Sequence, residues 1–168
     1  MLAIDYRKAT ATDAGAISQL ILSLANVFLS DPADPRSAPF LASLGEASIT
    51  RVLADPTYCY TLAWDGRQLL GLIALRDGRH VHHLFVATAA QGQGIARTLW
   101  RRARDEALEQ QPPSPFTVNS SPFAVPVYQA FGFRQEGDAQ EKNGVVFVPM
   151  ILPAEALLPP ATTALATS

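Results

Sequence analysis

Cysteine, strong charge bias and long hydrophobic runs are all scarce in this sequence of 168 residues. The single cysteine, Cys59, excludes an internal disulfide and a cysteine cluster for zinc, and its place in the apolar run YCYTLAW predicts a buried structural thiol. No stretch approaches the roughly 20 consecutive apolar residues that a membrane-spanning helix needs. We therefore expect neither a disulfide framework nor membrane insertion.

Charges of the two signs nearly cancel. The formal net charge of −2 provides no overall basic field for binding nucleic acid or an anionic membrane, so an anionic ligand would have to be held locally. The first ten residues, MLAIDYRKAT, carry charges and lack the apolar core of a signal peptide. This pattern predicts a cytoplasmic protein.

The apolar pattern predicts one mixed α/β domain over residues 1–152 and a loosely held tail over 153–168. The expected order of elements is β-α-α-β-β-β-α-β-α-β-β. The first helix has apolar residues at helical spacing as far as Phe28, and a second, weaker helix over 40–54 follows a proline-rich loop over 30–39.

Turn and cap signals define the second half of the chain. Apolar strands flank the hairpin signal Asp65–Gly66, and a further strand precedes a helix over 93–110. Ser121–Pro122 predicts the start of a short helix, because serine caps the first free amides and proline has no amide to satisfy. Asn143–Gly144 predicts a hairpin between the last two strands.

The segment HHLFVATAAQGQGIARTLW places Gly92 and Gly94 where a strand ends and a helix begins. Backbone amides exposed at such a junction, together with the helix dipole, bind anions. A Walker loop is excluded because Ile95, instead of lysine, follows Gly94, and a dinucleotide fingerprint is excluded because Arg97 stands where its third glycine is needed. A turn that only connects strand to helix is the alternative.

Two motifs resemble those of the GCN5-related N-acetyltransferases (GNAT). Gln91-x-x-Gly94-x-Ala96 resembles their acyl-CoA signature Q/R-x-x-G-x-G/A, and NSSPFAVPVYQAFGF over 119–133 resembles N-x-x-A-x-x-hydrophobic-Y-x-x-x-G-F. The resemblance implies the GNAT fold, an α/β fold whose mixed, mostly antiparallel central sheet has helices on both faces. It also implies acetyl-CoA as the cosubstrate.

The same resemblance implies a set of cofactor residues. The glycine turn would cradle the pyrophosphate of coenzyme A, and the end of the preceding strand would pair with the pantetheine arm. Ser121 stands where the family usually has an asparagine that contacts this arm. The residues implied are Leu84, Phe85, Val86, Gln91, Gly92, Gln93, Gly94, Ile95, Ala96, Arg97, Asn119 and Ser121.

Tyr128 is, by resemblance, the acid that protonates departing coenzyme A. A phenol with a pKa of about 10 stays protonated at neutral pH, and giving its proton to a thiolate of pKa about 8.5 is uphill by about 2 kcal/mol. A core tyrosine packed beside Phe131 and Phe133 is the alternative. Pro126 lies inside the same predicted helix, where we expect a local kink.

Three histidines, His80, His82 and His83, stand in the strand before the glycine turn. Strand alternation puts His80 and His82 on one side and His83 on the other. By resemblance, many relatives have a glutamate base at the position of His80, so His80 and His82 are candidate bases or proton relays, with surface or structural histidines as the alternative. No motif supplies a third ligand, and we expect no metal site.

Taken together, the motifs predict an N-acetyltransferase that moves an acetyl group from acetyl-CoA to a primary amine of a small molecule or peptide by direct attack. By resemblance, the first two helices and the loop over 30–39 form the acceptor wall. Without a carboxylate base, weakly basic amines are favoured, because deprotonation at pH 7 costs a lysine amine about 4.6 kcal/mol and an α-amine about 1 kcal/mol.

A non-catalytic acyl-CoA sensor and a transferase of longer acyl groups are alternatives. Neither nucleic acid nor a membrane is an expected partner, and a homodimer stays open.

Overall fold

The computed structural model describes residues 3–158 and builds them around a sheet of eight strands. The strands are β1 (Asp5–Lys8), β2 (Tyr58–Trp64), β3 (Leu69–Arg76), β4 (His80–Val86), β5 (Phe116–Ser120), β6 (Arg134–Gln135), β7 (Gln140–Lys142) and β8 (Val145–Leu152). Their order is β1-β2-β3-β4-β5-β8-β6, with β7 paired to the start of β8. All pairs are antiparallel except β4 with β5, which confirms the mixed, mostly antiparallel sheet.

Six α-helices lie in the described part of the chain: α1 (Ala14–Ser23), α2 (Ala25–Phe28), α3 (Ala38–Ser43), α4 (Glu46–Leu53), α5 (Ile95–Gln110) and α6 (Val125–Ala130). The first predicted helix breaks at Leu24, where φ is −103° and ψ is 7°. The second is divided at Gly45, whose backbone is extended. The proline-rich loop is shorter than predicted, because Pro39 sits in the first turn of α3, where a missing amide costs no hydrogen bond.

Helices cover both faces of the sheet, as predicted. Along β3, Leu72 and Ala74 belong to the cluster under α1 and α4, whereas Ile73 and Leu75 belong to the cluster under α5. The fully buried side chains that dominate these two clusters are Ile17, Ile21, Leu44, Ile49, Leu62 and Leu72 on one face, and Ile73, Ile95, Leu99, Trp100, Phe116 and Met150 on the other. The sheet is therefore the middle layer of three.

A buried carboxylate fixes the start of α1. Asp13 is 5% exposed and accepts two hydrogen bonds of 2.9 Å from the Arg7 guanidinium on β1 and one of 2.7 Å from the Thr10 amide. These donors stabilise the ionised form and lower the pKa of Asp13 to about 2, against the opposing effect of burial. The contact joins the sheet to the helices that lead to Phe28.

Two local predictions have opposite outcomes. Asn143 and Gly144 have φ values of 53° and 77°, which confirms the hairpin between β7 and β8. The prediction of a buried Cys59 is wrong: the side chain is exposed and accepts a hydrogen bond of 3.0 Å from Lys8 Nζ. Cys59 lies at the start of β2, ahead of the buried stretch 60–63.

The described chain continues for a short way beyond the last strand of the sheet. β8 ends at Leu152, and a short 3-10 helix, Ala154–Leu157, follows it. The predicted tail over 153–168 therefore begins with a regular turn. Its last part, 159–168, lies outside the described residues.

Candidate active site

A gap opens between the two parallel strands of the sheet. β4 and β5 pair only at His80 with Thr117 and at Val81 with Val118. Beyond that point β4 continues along β3 as far as Val86, and β5 continues along β8 as far as Ser120. Because each strand keeps its outer partner, the two separate and leave backbone groups unpaired along the gap.

A β-bulge in β4 overturns the predicted alternation of the histidines. Leu75 faces Val81 and Ala74 faces His83, so His82 is an extra residue in β4. A bulge of this kind interrupts the period of two and re-aims a side chain. The rings of His82 and His83 lie 4.1 Å apart between centroids, on the same side of the strand.

The end of β4, the glycine turn (residues 91–94), α2 and α6 enclose a cavity of about 560 Å³, which we call the first cavity. It gathers most of the residues that the motifs assigned to the cofactor: Leu84, Phe85, Val86, Gln91, Gly92, Gly94, Ile95, Ala96, Arg97 and Ser121. Gln93 is exposed and lies outside this lining, and Asn119 lines a neighbouring cavity instead.

The glycine turn has the backbone geometry that only glycine adopts without strain. Gly92 and Gly94 have φ values of 81° and 80°, and a Cβ added to either would meet open space. α5 begins at Ile95, two residues later than predicted. Gly94 has a left-handed backbone conformation, so it cannot be part of a right-handed helix.

Free amides surround this turn. The Thr98 amide donates to the Gly94 carbonyl at 3.0 Å, whereas the amides of residues 92–97 have no acceptor within residues 3–158. Unsatisfied amides at the start of a 16-residue helix favour an anion. The Gln91 side chain donates to the Val86 carbonyl at 3.0 Å and so ties the turn to the end of β4.

Tyr128 lies on α6 where the first cavity ends. It is 5% exposed, and its ring packs edge-on against Phe133 and Phe131, with centroids 5.5 and 6.2 Å away. Within the described residues its hydroxyl has no hydrogen-bond partner. Burial raises the pKa of this phenol above its usual value of 10. The side chain is thus both a core residue and part of a cavity wall.

The expected kink at Pro126 is absent because the helix starts later than predicted. A 3-10 turn over residues 122–124 precedes α6, which places Pro126 in the first turn of the α-helix. The predicted cap is confirmed: the Ser121 hydroxyl accepts a hydrogen bond of 3.2 Å from the Ala124 amide.

A second cavity, of about 110 Å³, adjoins the first on the side of β8. The two cavities share six lining residues, Phe28, Leu84, Phe85, Ser121, Ala124 and Tyr128. Only the second cavity is lined by His82, His83, Asn119 and Phe147. Tyr128 therefore stands at the junction of two spaces with different walls.

Two of the three histidines of β4, His82 and His83, are uncharged at neutral pH. Burial and nearby Arg76 lower the pKa of His82 to about 4, and burial with neighbouring His82 lowers the pKa of His83 well below its usual value. His83 Nδ1 lies 3.2 Å from the Tyr60 hydroxyl. Sequence reasoning missed His83 because the bulge that turns it toward the cavity has no signature in the sequence.

His80 occupies a different environment from the other two. Its Nδ1 lies 2.8 Å from the Thr117 hydroxyl, and burial lowers its pKa. It contributes to neither the first nor the second cavity. The histidines of the second cavity are therefore the adjacent pair His82 and His83, and not the predicted pair His80 and His82.

Residues 3–158, which the structure describes, contain no group of three or more histidine, cysteine, aspartate or glutamate side chains arranged to hold a metal ion. None of their helices combines the length and apolar character that crossing a membrane requires.

Comparison with known proteins identifies the family. The sequence model of the acetyltransferase (GNAT) domain matches residues 26–153. The chain belongs to the GNAT acetyltransferase family. It is an acyl-CoA-dependent N-acetyltransferase, and the resemblance drawn from the two motifs is confirmed.

Solved GNAT structures share the fold at low sequence identity. A GCN5-related N-acetyltransferase from Rhodopseudomonas palustris is 19% identical, with a TM-score of 0.74 over 91% of this chain and 97% of that one. The PaiA N-acetyltransferase of Thermoplasma acidophilum, solved with coenzyme A, is 15% identical, with a TM-score of 0.69 over 90% and 99%. The spermidine N-acetyltransferase of Vibrio cholerae, solved with CoA and spermine, is 19% identical, with a TM-score of 0.66 over 93% and 98%. No curated protein sequence matches the chain.

Proposed function

We propose that this GNAT enzyme transfers the acetyl group of acetyl-CoA to a primary amine of a small molecule or peptide by direct attack. The proposal rests on one observation: two cavities meet at Tyr128, and the larger begins at a turn with free backbone amides. Acetyl-CoA would occupy the first cavity and the amine the second. The acyl group would then lie at their junction.

The first cavity suits two parts of an acyl-CoA, the anionic pyrophosphate and the pantetheine arm with its amides. The free amides from Gly92 to Arg97, with the Arg97 guanidinium, suit the pyrophosphate. The unpaired edge of β4 over 84–86 suits an extended pantetheine arm, because backbone groups that have lost a strand partner can pair with amides of a ligand. Ser121 lies on the opposite wall.

Bound acetyl-CoA would supply an activated acyl group. The amine nitrogen forms a bond to the acetyl carbon, and the carbon–sulfur bond breaks with its electron pair going to sulfur. The nitrogen loses one proton to a base or water and the sulfur gains one proton, which leaves an amide and a thiol. Protein groups at the junction of the cavities would act on the charges that develop during this exchange.

Tyr128 would stabilise the departing sulfur mainly as a hydrogen-bond donor. An exposed phenol would give up its proton to a thiolate at a cost of about 2 kcal/mol, and the raised pKa of Tyr128 increases that cost. The same raised pKa keeps the hydroxyl protonated across the neutral range. A protonated phenol without another partner is a suitable donor to a developing thiolate.

His82 and His83 are the groups in the second cavity that could accept a proton. Both are neutral at pH 7, but their low pKa values make them weak bases. A relay that passes the proton on to water suits them better than removal of a proton from a cationic amine. His80, which is outside both cavities, would act only indirectly through β4.

Calorimetric titration with acetyl-CoA, free CoA and a longer acyl-CoA, followed by a CoA-release assay with a panel of amines, tests the proposal. We expect saturable binding of about one acetyl-CoA per chain and amine-dependent release of CoA. Binding without release for every amine would support the alternative of an acyl-CoA sensor. Tighter binding and faster turnover of the longer acyl-CoA would support the other alternative.

A further inference from the structure

The wall of the second cavity is uncharged. Among the described residues, none of its lining side chains is an aspartate, glutamate, lysine or arginine. Its polar members are His82, His83, Asn119, Ser120, Ser121 and the hydroxyl of Tyr128, and the lowered pKa values keep both histidines neutral at pH 7. A cationic ligand would therefore lose its hydration without gaining an opposite charge.

Aromatic side chains form much of the remaining wall. Phe85 lies 5.4 Å from Phe28 and 5.6 Å from His83 between ring centroids, and the tilted rings of His82 and His83 lie 4.1 Å apart. Phe147 on β8 closes the cavity from the other side of the gap. Such a wall offers ring faces and edges to a flat ligand. At about 110 Å³ the space suits one small ring.

We propose that the acceptor is a small aromatic amine whose nitrogen is uncharged at neutral pH. This inference rests on the proposed acetyl transfer. The nitrogen of such an amine keeps its lone pair free before attack, whereas an alkyl amine with a pKa of about 10.4 is neutral in only roughly one molecule in 2,500 at pH 7. An enzyme that binds the neutral form needs no strong base.

The neutral histidines suit this acceptor. The aromatic nitrogen has to lose a proton only once its bond to the acetyl carbon is forming, when its acidity has increased. A weakly basic imidazole can accept a hydrogen bond from that nitrogen at this stage. The Tyr60 hydroxyl, 3.2 Å from His83 Nδ1, holds the ring of His83 in place.

Two isomeric amines separate the neutral from the cationic acceptor. p-Toluidine and benzylamine have the same formula and one ring each, but only benzylamine is cationic at pH 7. We expect p-toluidine to bind the CoA-saturated protein at least about tenfold more tightly in calorimetry, and to release CoA from acetyl-CoA with a kcat/KM at least about tenfold higher. Equal or tighter binding of benzylamine or spermidine would overturn the inference.

A single substitution tests the cause of the preference. Asn119→Asp puts a carboxylate of nearly the same size into the second cavity, and we expect benzylamine to bind about tenfold more tightly while p-toluidine changes little. Asn143→Asp, in the exposed β7–β8 turn, is the matched control and should leave both affinities unchanged. An unaltered ranking in Asn119→Asp would show that charge does not set the preference.

These outcomes are distinct from failure of the proposed function. If the protein does not bind acetyl-CoA, or binds it and releases CoA with none of the amines, acetyl transfer itself is wrong. If it binds acetyl-CoA and acetylates spermidine or benzylamine in preference to p-toluidine, the transferase proposal stands and only the aromatic acceptor is wrong.

Discussion

The two cavities that meet at Tyr128 are built from different kinds of parts. The first cavity depends on backbone: the unpaired edge of β4 and the free amides of the glycine turn belong to one continuous stretch, residues 84–97. The second cavity depends on side chains that come from α2, β4, β5, α6 and β8. A backbone site leaves a short motif in the sequence, and a side-chain site assembled from distant elements does not.

The cavities also differ in charge. The first has Arg97 and the amino end of α5 at one end, whereas the second has no charged side chain among its described lining residues. The difference matches the two ligands proposed, a polyanionic cosubstrate and a neutral amine. Substitutions that affect one cavity and spare the other test this division.

The largest effect is expected at the junction. Tyr128→Phe removes only the hydroxyl, and we expect kcat to fall about 100-fold, as for loss of a group that assists a leaving atom. The affinity for acetyl-CoA should change little, because the ring still packs against Phe131 and Phe133. Steady-state kinetics and calorimetry on the same preparation measure both quantities.

Tyr6→Phe is the matched control for this loss of a hydroxyl. Tyr6 lies on β1 and outside both cavities, and the guanidinium carbon of Arg102 lies 4.8 Å from the centroid of its ring. The substitution Tyr6→Phe should leave kcat unchanged. If Tyr128→Phe retains the wild-type kcat, Tyr128 has no part in the departure of CoA.

The sequence was sufficient to predict the first cavity because its motif residues are contiguous. Gln91, Gly94 and Ala96 predicted the family, and the structure places all three in the lining of this cavity. The element order and the helices on both faces followed from apolar periodicity, which records the burial of each face. The cofactor roles of the individual residues remain predictions.

What the sequence did not reveal depends on irregular backbone and on long-range packing. The bulge at His82 turns His83 to the side of β4 on which His82 was predicted to lie. The alternation of apolar and polar residues along the sequence gives no sign of such an extra residue. Pro126 was misjudged because a 3-10 turn delays the helix. Cys59 was misjudged because an apolar stretch does not tell which end of a strand is covered.

The second largest effect is expected at Asp13, at the start of α1. This helix leads to α2, whose Phe28 lines the second cavity. Asp13→Asn removes the carboxylate that holds the start of α1 to Arg7, and a pKa lowered from 3.8 to about 2 corresponds to about 2 kcal/mol of stability. Because the folded pKa is the lower one, this stability is complete above the unfolded pKa and is lost as the pH falls toward 2. Urea unfolding at pH 7 and near pH 3 measures it.

Asp65→Asn is the control for that prediction. Asp65 accepts hydrogen bonds from two backbone amides, but it lies in an exposed turn and has no arginine partner, so replacing its carboxylate should destabilise the fold less at pH 7. The difference between wild type and Asp13→Asn should shrink at low pH. A difference that stays constant with pH would assign the stabilisation to packing and not to ionisation.

A smaller effect is expected at the glycine turn. Gly94→Ala forces a side chain into a left-handed conformation, and relief of that strain moves the free amides, so we expect the Kd for acetyl-CoA to rise about tenfold. Gly66→Ala, at φ 103° with the same open surroundings in the β2–β3 turn, carries similar strain far from the site. It should lose stability without losing affinity. Equal affinities for the two variants would remove the turn from the cofactor site.

The smallest effect is expected at Arg97. Its side chain is exposed in the first turn of α5, so an ion pair with a cofactor phosphate contributes at most about 1 kcal/mol, and Arg97→Ala should raise the Kd for acetyl-CoA no more than about fivefold. Raising the salt concentration should reduce the difference in Kd between wild type and Arg97→Ala, because exposed charges are screened. Arg101→Ala, one turn further along the helix and outside the first cavity, should have no effect. If both arginine variants weaken binding equally, the contribution comes from the general field of α5 and not from a phosphate contact at Arg97.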